Sequence, residues 1–171
     1  MKKKNTVVLV CILLLLGLSF FIVFNKVQRK QQKKENYQLI PSFQISDING
    51  HIITEDLLQK YRTIMFLYFN PDCDLCQDEI KQIKENESAL SQGAIVFFSE
   101  SPADSIRQFL RTIDFNPPSN MLFLSDEKVI LIRKMEVITT PTVYIYRQNQ
   151  LIKRFDGPVK IETLIHYFTS K

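Results

Sequence analysis

The chain has 171 residues, 45% hydrophobic and 23% charged, with a formal net charge of +4 at pH 7; that is room for one globular domain and an appendage. The charge is lopsided: residues 1–36 hold eight Lys/Arg and one acid, whereas the other 135 hold 14 basic and 17 acidic side chains, a net of −3. A mildly acidic body without Gly-rich, aromatic-basic or zinc-finger patterns excludes nucleic acid as the expected partner.

Residues 6–24 (TVVLVCILLLLGLSFFIVF) are apolar and uncharged, the length a helix needs to span a bilayer core. Lys2, Lys3 and Lys4 precede them as in a signal sequence, but no small-x-small cleavage site follows, so we expect an uncleaved signal anchor at 1–25. Cys11 sits in the middle of this run behind Val10, where a lipid attachment site would need a small residue; it reads as a small apolar side chain of a membrane helix. Lys26 to Asn36 is polar and free of aromatics, and we place a charged tether at 26–38 and a folded domain at 39–171. Three lysines and the chain amine flank the anchor on one side and five Lys/Arg on the other. That count alone leans toward a cytoplasmic domain; the redox role argued below leans to the outer side, and function decides the expectation.

In the folded part Phe43 and Ile45 alternate with polar residues, Asp47-Ile48-Asn49-Gly50 turns, and Ile52-Ile53 returns, which predicts a small hairpin. Thr54 is placed to cap a short helix over 55–60. Residues 63–68 (TIMFLY) read as a buried strand, broken by Asn70-Pro71-Asp72. A charged amphipathic helix is expected over 73–90, with Ile80, Ile83 and Leu90 on its apolar face. Residues 94–98 (AIVFF) are a second apolar strand. Ser101-Pro102-Ala103-Asp104 reads as a helix start with Ser101 as N-cap and Ile106, Phe109, Leu110 and Ile113 inward. Pro117-Pro118 ends that helix, 121–124 form a short strand, and Ser125 is placed to cap a helix running to about Met135. Thr139-Thr140-Pro141 opens a strand over 142–146, 151–155 pairs back, and a last helix over 161–168 turns Leu164, Ile165 and Phe168 inward. Strands alternating with helices predict an α/β fold, a central sheet with helices on both faces.

The chemistry is carried by Cys73-Asp74-Leu75-Cys76 between a strand and a helix. Two cysteines three apart at a helix N-terminus can close and reopen a short disulfide, and the free amides and dipole there favour a thiolate. A purely structural bridge of that span would constrain little. A zinc site needs more ligands than the pair, and only His51, His166 and carboxylates are on hand; no metal and no cofactor are expected.

This arrangement resembles the thioredoxin superfamily, in particular membrane-anchored thiol–disulfide oxidoreductases of the TlpA type within the redoxin (AhpC/TSA-related) group. The residues that carry the likeness are Pro41-x-Phe43 before the hairpin, Asn70-Pro71-Asp72-Cys73-Asp74-Leu75-Cys76 between strand and helix, Leu122-Phe123-Leu124-Ser125-Asp126 as an inserted β-α unit, and Thr140-Pro141-Thr142 opening a strand. The resemblance implies a thioredoxin-like fold, a central mixed sheet flanked by helices, over about 39–168. It implies that Cys73 attacks a substrate disulfide and Cys76 resolves the mixed disulfide. It implies that Pro141 is a cis-proline lying against the cysteines, with Thr140 offering its backbone to an extended substrate. Glu79, three residues after Cys76 and on the same helix face, matches an acid of TlpA-type proteins and would support proton transfer; the bland alternative is a solvated acid like Asp78.

The departures are Leu67 at the position of thioredoxin's buried Asp, Asp72 in place of its Trp, Asp-Leu in place of Gly-Pro, and Lys81 where a Pro is common. Asp72 and Asp74 oppose a thiolate at Cys73 with their own charge. Peroxiredoxins place Thr or Ser three residues before the peroxidatic Cys and Pro four before that; Asn70 and Phe66 stand there. Copper-handling relatives use Cys-x-x-x-Cys and a distant His, one residue longer than the spacing here. The expected partners are therefore protein thiols and disulfides, with a membrane reductase or oxidase supplying or taking electrons. The expected place is the outer face of a bacterial cytoplasmic membrane, with residues 6–24 as the anchor. A thiol peroxidase, a metallochaperone or a non-catalytic binding module are the alternatives.

Overall fold

The computed structural model describes residues 16–26 and 37–170. Residues 16–26 are helical; 6–15, including Cys11, and the tether residues 27–36 lie outside the described residues. Among the described residues no helix is long and apolar enough to cross a membrane.

The folded unit opens with a two-stranded antiparallel hairpin, β1 (Gln44–Ser46) and β2 (Ile52–Thr54). Its turn uses Gly50 at φ 87, a conformation glycine adopts without a Cβ clash. The main sheet holds β3 (Thr63–Tyr68), β4 (Ala94–Ser99), β5 (Met121–Ser125), β6 (Thr142–Arg147) and β7 (Gln150–Asp156). Its spatial order is β5-β4-β3-β6-β7; β3, β4 and β5 run parallel, and β6 and β7 pair antiparallel. Every residue of β3 and β4 is buried, as their continuous apolar runs require of strands covered on both faces.

Alternation along β3 divides the core in two. Met65, Leu67 and Phe69 face a layer formed by α1 (Asp74–Glu85), α2 (Ala103–Thr112) and α4 (Ile161–Thr169). Ile64, Phe66 and Tyr68 face the hairpin, the 3-10 turn Glu55–Leu58 and α3 (Ile130–Lys134). The alternating α/β architecture expected from the sequence is present, and the helices do lie on both faces.

Several local expectations are corrected. The helix expected over 73–90 ends at Glu85, and Glu87–Leu90 is a separate 3-10 turn; Asn86 breaks the run, its side-chain amide donating back to the Gln82 carbonyl at 2.9 Å. The 55–60 helix is a single 3-10 turn, and Thr54 makes no side-chain cap. Pro102, not Ser101, is the N-cap of α2, its carbonyl accepting the Ile106 amide at 3.2 Å. Asp126, not Ser125, caps α3: its carboxylate accepts the amides of Ile130, Leu131 and Ile132 at 2.7, 2.8 and 3.0 Å.

Both outer strands of the sheet are touched by the segment before β3. On β7, Leu39 bridges Gln150 and the Leu151 amide donates to Gln38 at 2.8 Å. On β5, Asp47 bridges Leu124 and the Ile48 amide donates to Phe123 at 2.9 Å.

Candidate active site

β3 delivers the chain to a tight turn at its C-terminal end. The Asn70 side chain accepts the Asp72 amide at 2.9 Å, and the Asn70 carbonyl accepts the Cys73 amide at 3.1 Å. An Asx-type turn of this kind gives the backbone a reason to leave the strand and enter a helix. Cys73 is the N-cap of α1, and its carbonyl accepts the Gln77 amide at 3.0 Å. The Gln77 side chain donates to the Pro71 carbonyl at 2.7 Å, holding the turn against the helix.

Cys73 is half-buried and Cys76 is fully buried, both as free thiols. Burial pushes the Cys76 thiol up to about 12, and its hydrogen bond with Cys73 adds to the effect; the Thr140 hydroxyl and the Asn70 backbone pull the other way. Thr140 Oγ1 lies 3.3 Å from Cys76 Sγ. The Thr140–Pro141 peptide is cis, and the Thr140 hydroxyl brings the loop before β6 against Cys76.

Glu79 is only 2% exposed, whereas its neighbour Asp78 is exposed and pairs with Lys81 at 3.6 Å. Glu79 Oε1 accepts the Val159 amide at 3.3 Å, and Oε2 is buried without a hydrogen-bond partner. Burial raises its carboxyl from 4.5 to about 7 against the opposing pull of the Val159 amide. The solvated-surface alternative is thereby removed. The pair and Thr140–Pro141 form one cluster, and Glu79 lies a helical turn below Cys76.

Two features were not read from the sequence. At the end of β3 the Tyr68 hydroxyl donates to Glu100 at 3.0 Å; burial first, then Glu100 and then the nearby Cys76 drive its phenol above the ordinary range. A polar tip closing an apolar strand was the only signal available. Second, Leu75 is 53% and Ile138 82% exposed, one between the cysteines and the other two residues before Thr140. Asp72 and Asp74 are exposed beside Cys73. A cavity of about 870 Å³ between the β1–β2 turn and the loop after β5 is lined by none of these residues. Among the described residues no group of three or more His, Cys, Asp or Glu is placed to hold a metal ion.

The arrangement therefore offers a reachable thiol, a second thiol shielded behind it, a buried carboxyl pushed up to about 7, and the bend at 139–141 alongside.

The profile of the AhpC/TSA family matches residues 37–155. Among solved structures, a secreted disulfide oxidoreductase of Mycobacterium tuberculosis, homologous to E. coli DsbE, is similar at 15% identity over 78% of this chain and 96% of its own, with a TM-score of 0.65. StoA of Bacillus subtilis is similar at 17% identity over 76% and 98%, TM-score 0.62. The peroxidoxin BcpB of M. tuberculosis is similar at 11% identity over 76% and 93%, TM-score 0.66. At such identities the likeness shows the fold, which is thioredoxin-like. No curated protein sequence matches the chain.

Proposed function

This chain belongs to the AhpC/TSA family, and on that premise we propose that it exchanges disulfides with protein substrates through Cys73 and Cys76. The observation that carries the reading is the junction of Cys76 and Thr140 at 3.3 Å, which sets a buried thiol of a half-exposed pair against a cis-proline loop. The Cys73 thiolate attacks one sulfur of a substrate disulfide; a mixed disulfide forms and the other substrate sulfur leaves as a thiolate and takes a proton. Cys76 then loses its proton, with Glu79 as the acceptor, and attacks Cys73 Sγ. The second substrate sulfur leaves, the Cys73–Cys76 disulfide remains, and two electrons have passed to the substrate. Reversal oxidises a dithiol substrate.

Glu79 suits that step because a carboxyl near 7 exchanges protons readily at neutral pH. Thr140, set beside the cis-proline Pro141, offers its backbone to a substrate strand. In this reading residues 6–24 anchor the protein in a bacterial cytoplasmic membrane, the folded domain (39–171) lies outside on its tether (26–38), and a membrane reductase or oxidase resets the pair. Peroxide reduction is the competing activity within the family.

The test uses the full chain in detergent. Cys76→Ser with a disulfide-bonded peptide is expected to accumulate a mixed disulfide at Cys73, and Cys73→Ser to form none. Rapid peroxide consumption by the wild type without peptide turnover would replace this reading with the peroxidase. In intact cells, a membrane-impermeant thiol reagent should label Cys73; labelling only after lysis would put the domain inside.

A further inference from the structure

We infer that Arg154, remote in sequence from the cysteines, is a positioning residue that holds the loop presenting Thr140 and Pro141 to the redox pair. The inference rests on the disulfide-exchange reading for its kinetic consequence, not for its geometry.

Arg154 lies in β7 directly opposite Tyr144 of β6, and Asp156 opposite Thr142. Its side chain is largely covered, 14% exposed. The guanidinium lies over two rings, 5.0 Å from the centroid of Tyr37 and 5.1 Å from that of Tyr144. Nε donates to Asp156 Oδ1 at 2.8 Å, Nη2 makes an ion pair with the same oxygen at 2.8 Å, and Nη2 donates to the carbonyl of Glu136 at 3.2 Å. The Tyr144 hydroxyl donates to the preceding carbonyl, that of Met135, at 2.6 Å. Two consecutive carbonyls at the root of the loop are thus held by a stacked cross-strand pair.

The far end is fixed beside Asp156. The Gly157 amide donates to the Pro141 carbonyl at 2.9 Å, and the Thr142 hydroxyl donates to Thr139 at 2.6 Å. The guanidinium therefore joins the two ends of the 136–141 segment: one through Glu136, the other through Asp156 and its neighbour Gly157. Only a planar fork with several donors does this while stacked on rings; a lysine ammonium presents a point charge. Glu136, at φ 51, is in the left-handed region that non-glycine residues visit rarely, so its conformation depends on what grips its peptide. Between the held ends lies Thr140, whose hydroxyl meets Cys76 Sγ at 3.3 Å.

The test compares full-length wild type with Arg154→Gln, Arg154→Lys and Tyr144→Phe by amide hydrogen exchange and by peptide-disulfide kinetics. Arg154→Gln is expected to speed exchange of the Glu136, Val137 and Gly157 amides, which are bonded to the Arg133, Ile132 and Pro141 carbonyls, by about ten-fold or more while α1 and α2 keep their protection. It should raise KM for the peptide by about ten-fold with a smaller change in kcat, as a displaced binding edge does. Arg154→Lys should behave like the glutamine variant, and Tyr144→Phe should move both readouts the same way but less. Exchange that rises uniformly over the fold, or a loop unchanged in every variant, overturns the inference and leaves Arg154 a stability residue only. If the wild type turns over no peptide disulfide, the proposed function fails, and the exchange pattern still decides the role of Arg154. Should Arg154→Gln not fold, Arg154→Lys and Tyr144→Phe carry the same comparison.

Discussion

Cys76 Sγ and Thr140 Oγ1 meet at 3.3 Å although 64 residues separate them in the chain. The helix that carries the pair and the loop that precedes β6 are tied at this point, and the hydroxyl pulls the Cys76 thiol downward while burial pushes it up. Removing the hydroxyl leaves burial unopposed by that contact.

Thr140→Val should therefore slow decay of the mixed disulfide at neutral pH by roughly five-fold, the worth of about one hydrogen bond. Alkylation of Cys73 should stay at the wild-type rate. Rapid-mixing measurement of mixed-disulfide decay checks this; an unchanged decay would remove Thr140 from the resolving step.

Glu79 links the site to stability. Its carboxyl is raised from 4.5 to about 7 in the folded state, so the fold favours the protonated form. The contribution is fully present below about pH 4.5 and is lost as pH rises toward 7, by up to about 3 kcal/mol. Glu79→Gln should flatten this dependence, and at about pH 8 it should exceed wild type in denaturant stability by about 1–3 kcal/mol while resolving mixed disulfides more slowly. A wild-type stability that climbs across the same interval contradicts the assignment.

Ile138, 82% exposed, does little for the fold. Ile138→Ser is expected to change stability by less than about 0.5 kcal/mol yet raise KM for a protein disulfide several-fold, since an apolar side chain beside the binding edge would lose its contact. Thermal melting together with steady-state kinetics on one protein substrate separates the two effects.

Gly93 tests the packing between α4 and the sheet. A Cβ there would lie 2.5 Å from Phe168 Cζ and 2.5 Å from the Thr63 carbonyl oxygen. Turning the ring about its Cβ–Cγ axis leaves Cζ where it is, and the backbone oxygen cannot retreat, so Gly93→Ala should cost about 1–3 kcal/mol, read as a lower denaturant midpoint at unchanged m-value.

Much of this molecule was legible because its signals are local. β3 and β4 are unbroken apolar runs, and Cys73 and Cys76 announce themselves by spacing. What escaped the sequence depends on tertiary partners. Ser125 and Asp126 are both good caps, and Asp126 prevails because it is 1% exposed with its own amide on the Ser99 carbonyl at 2.7 Å. Val129, a β-branched residue at φ 50, breaks the local rule because its amide is bound to the Asp126 carbonyl at 2.7 Å. Glu79 looked like one acid among several on a charged helix; only the Val159 segment folding over it makes it different. Arg154 had no sequence signal at all, since its partners come from strand pairing.

The bridges from Leu39 and Asp47 to the two outermost strands bear on solubility. An uncovered rim of amides and carbonyls is a template on which another molecule can add a strand and begin to aggregate. Here one short stretch of chain, reaching from Gln38 to Ile48, blunts both rims of the sheet at once. Proteolytic loss of that stretch would uncover both borders and, with β1, strip the buried Phe43 and Ile45 from the core, so the nicked protein should precipitate.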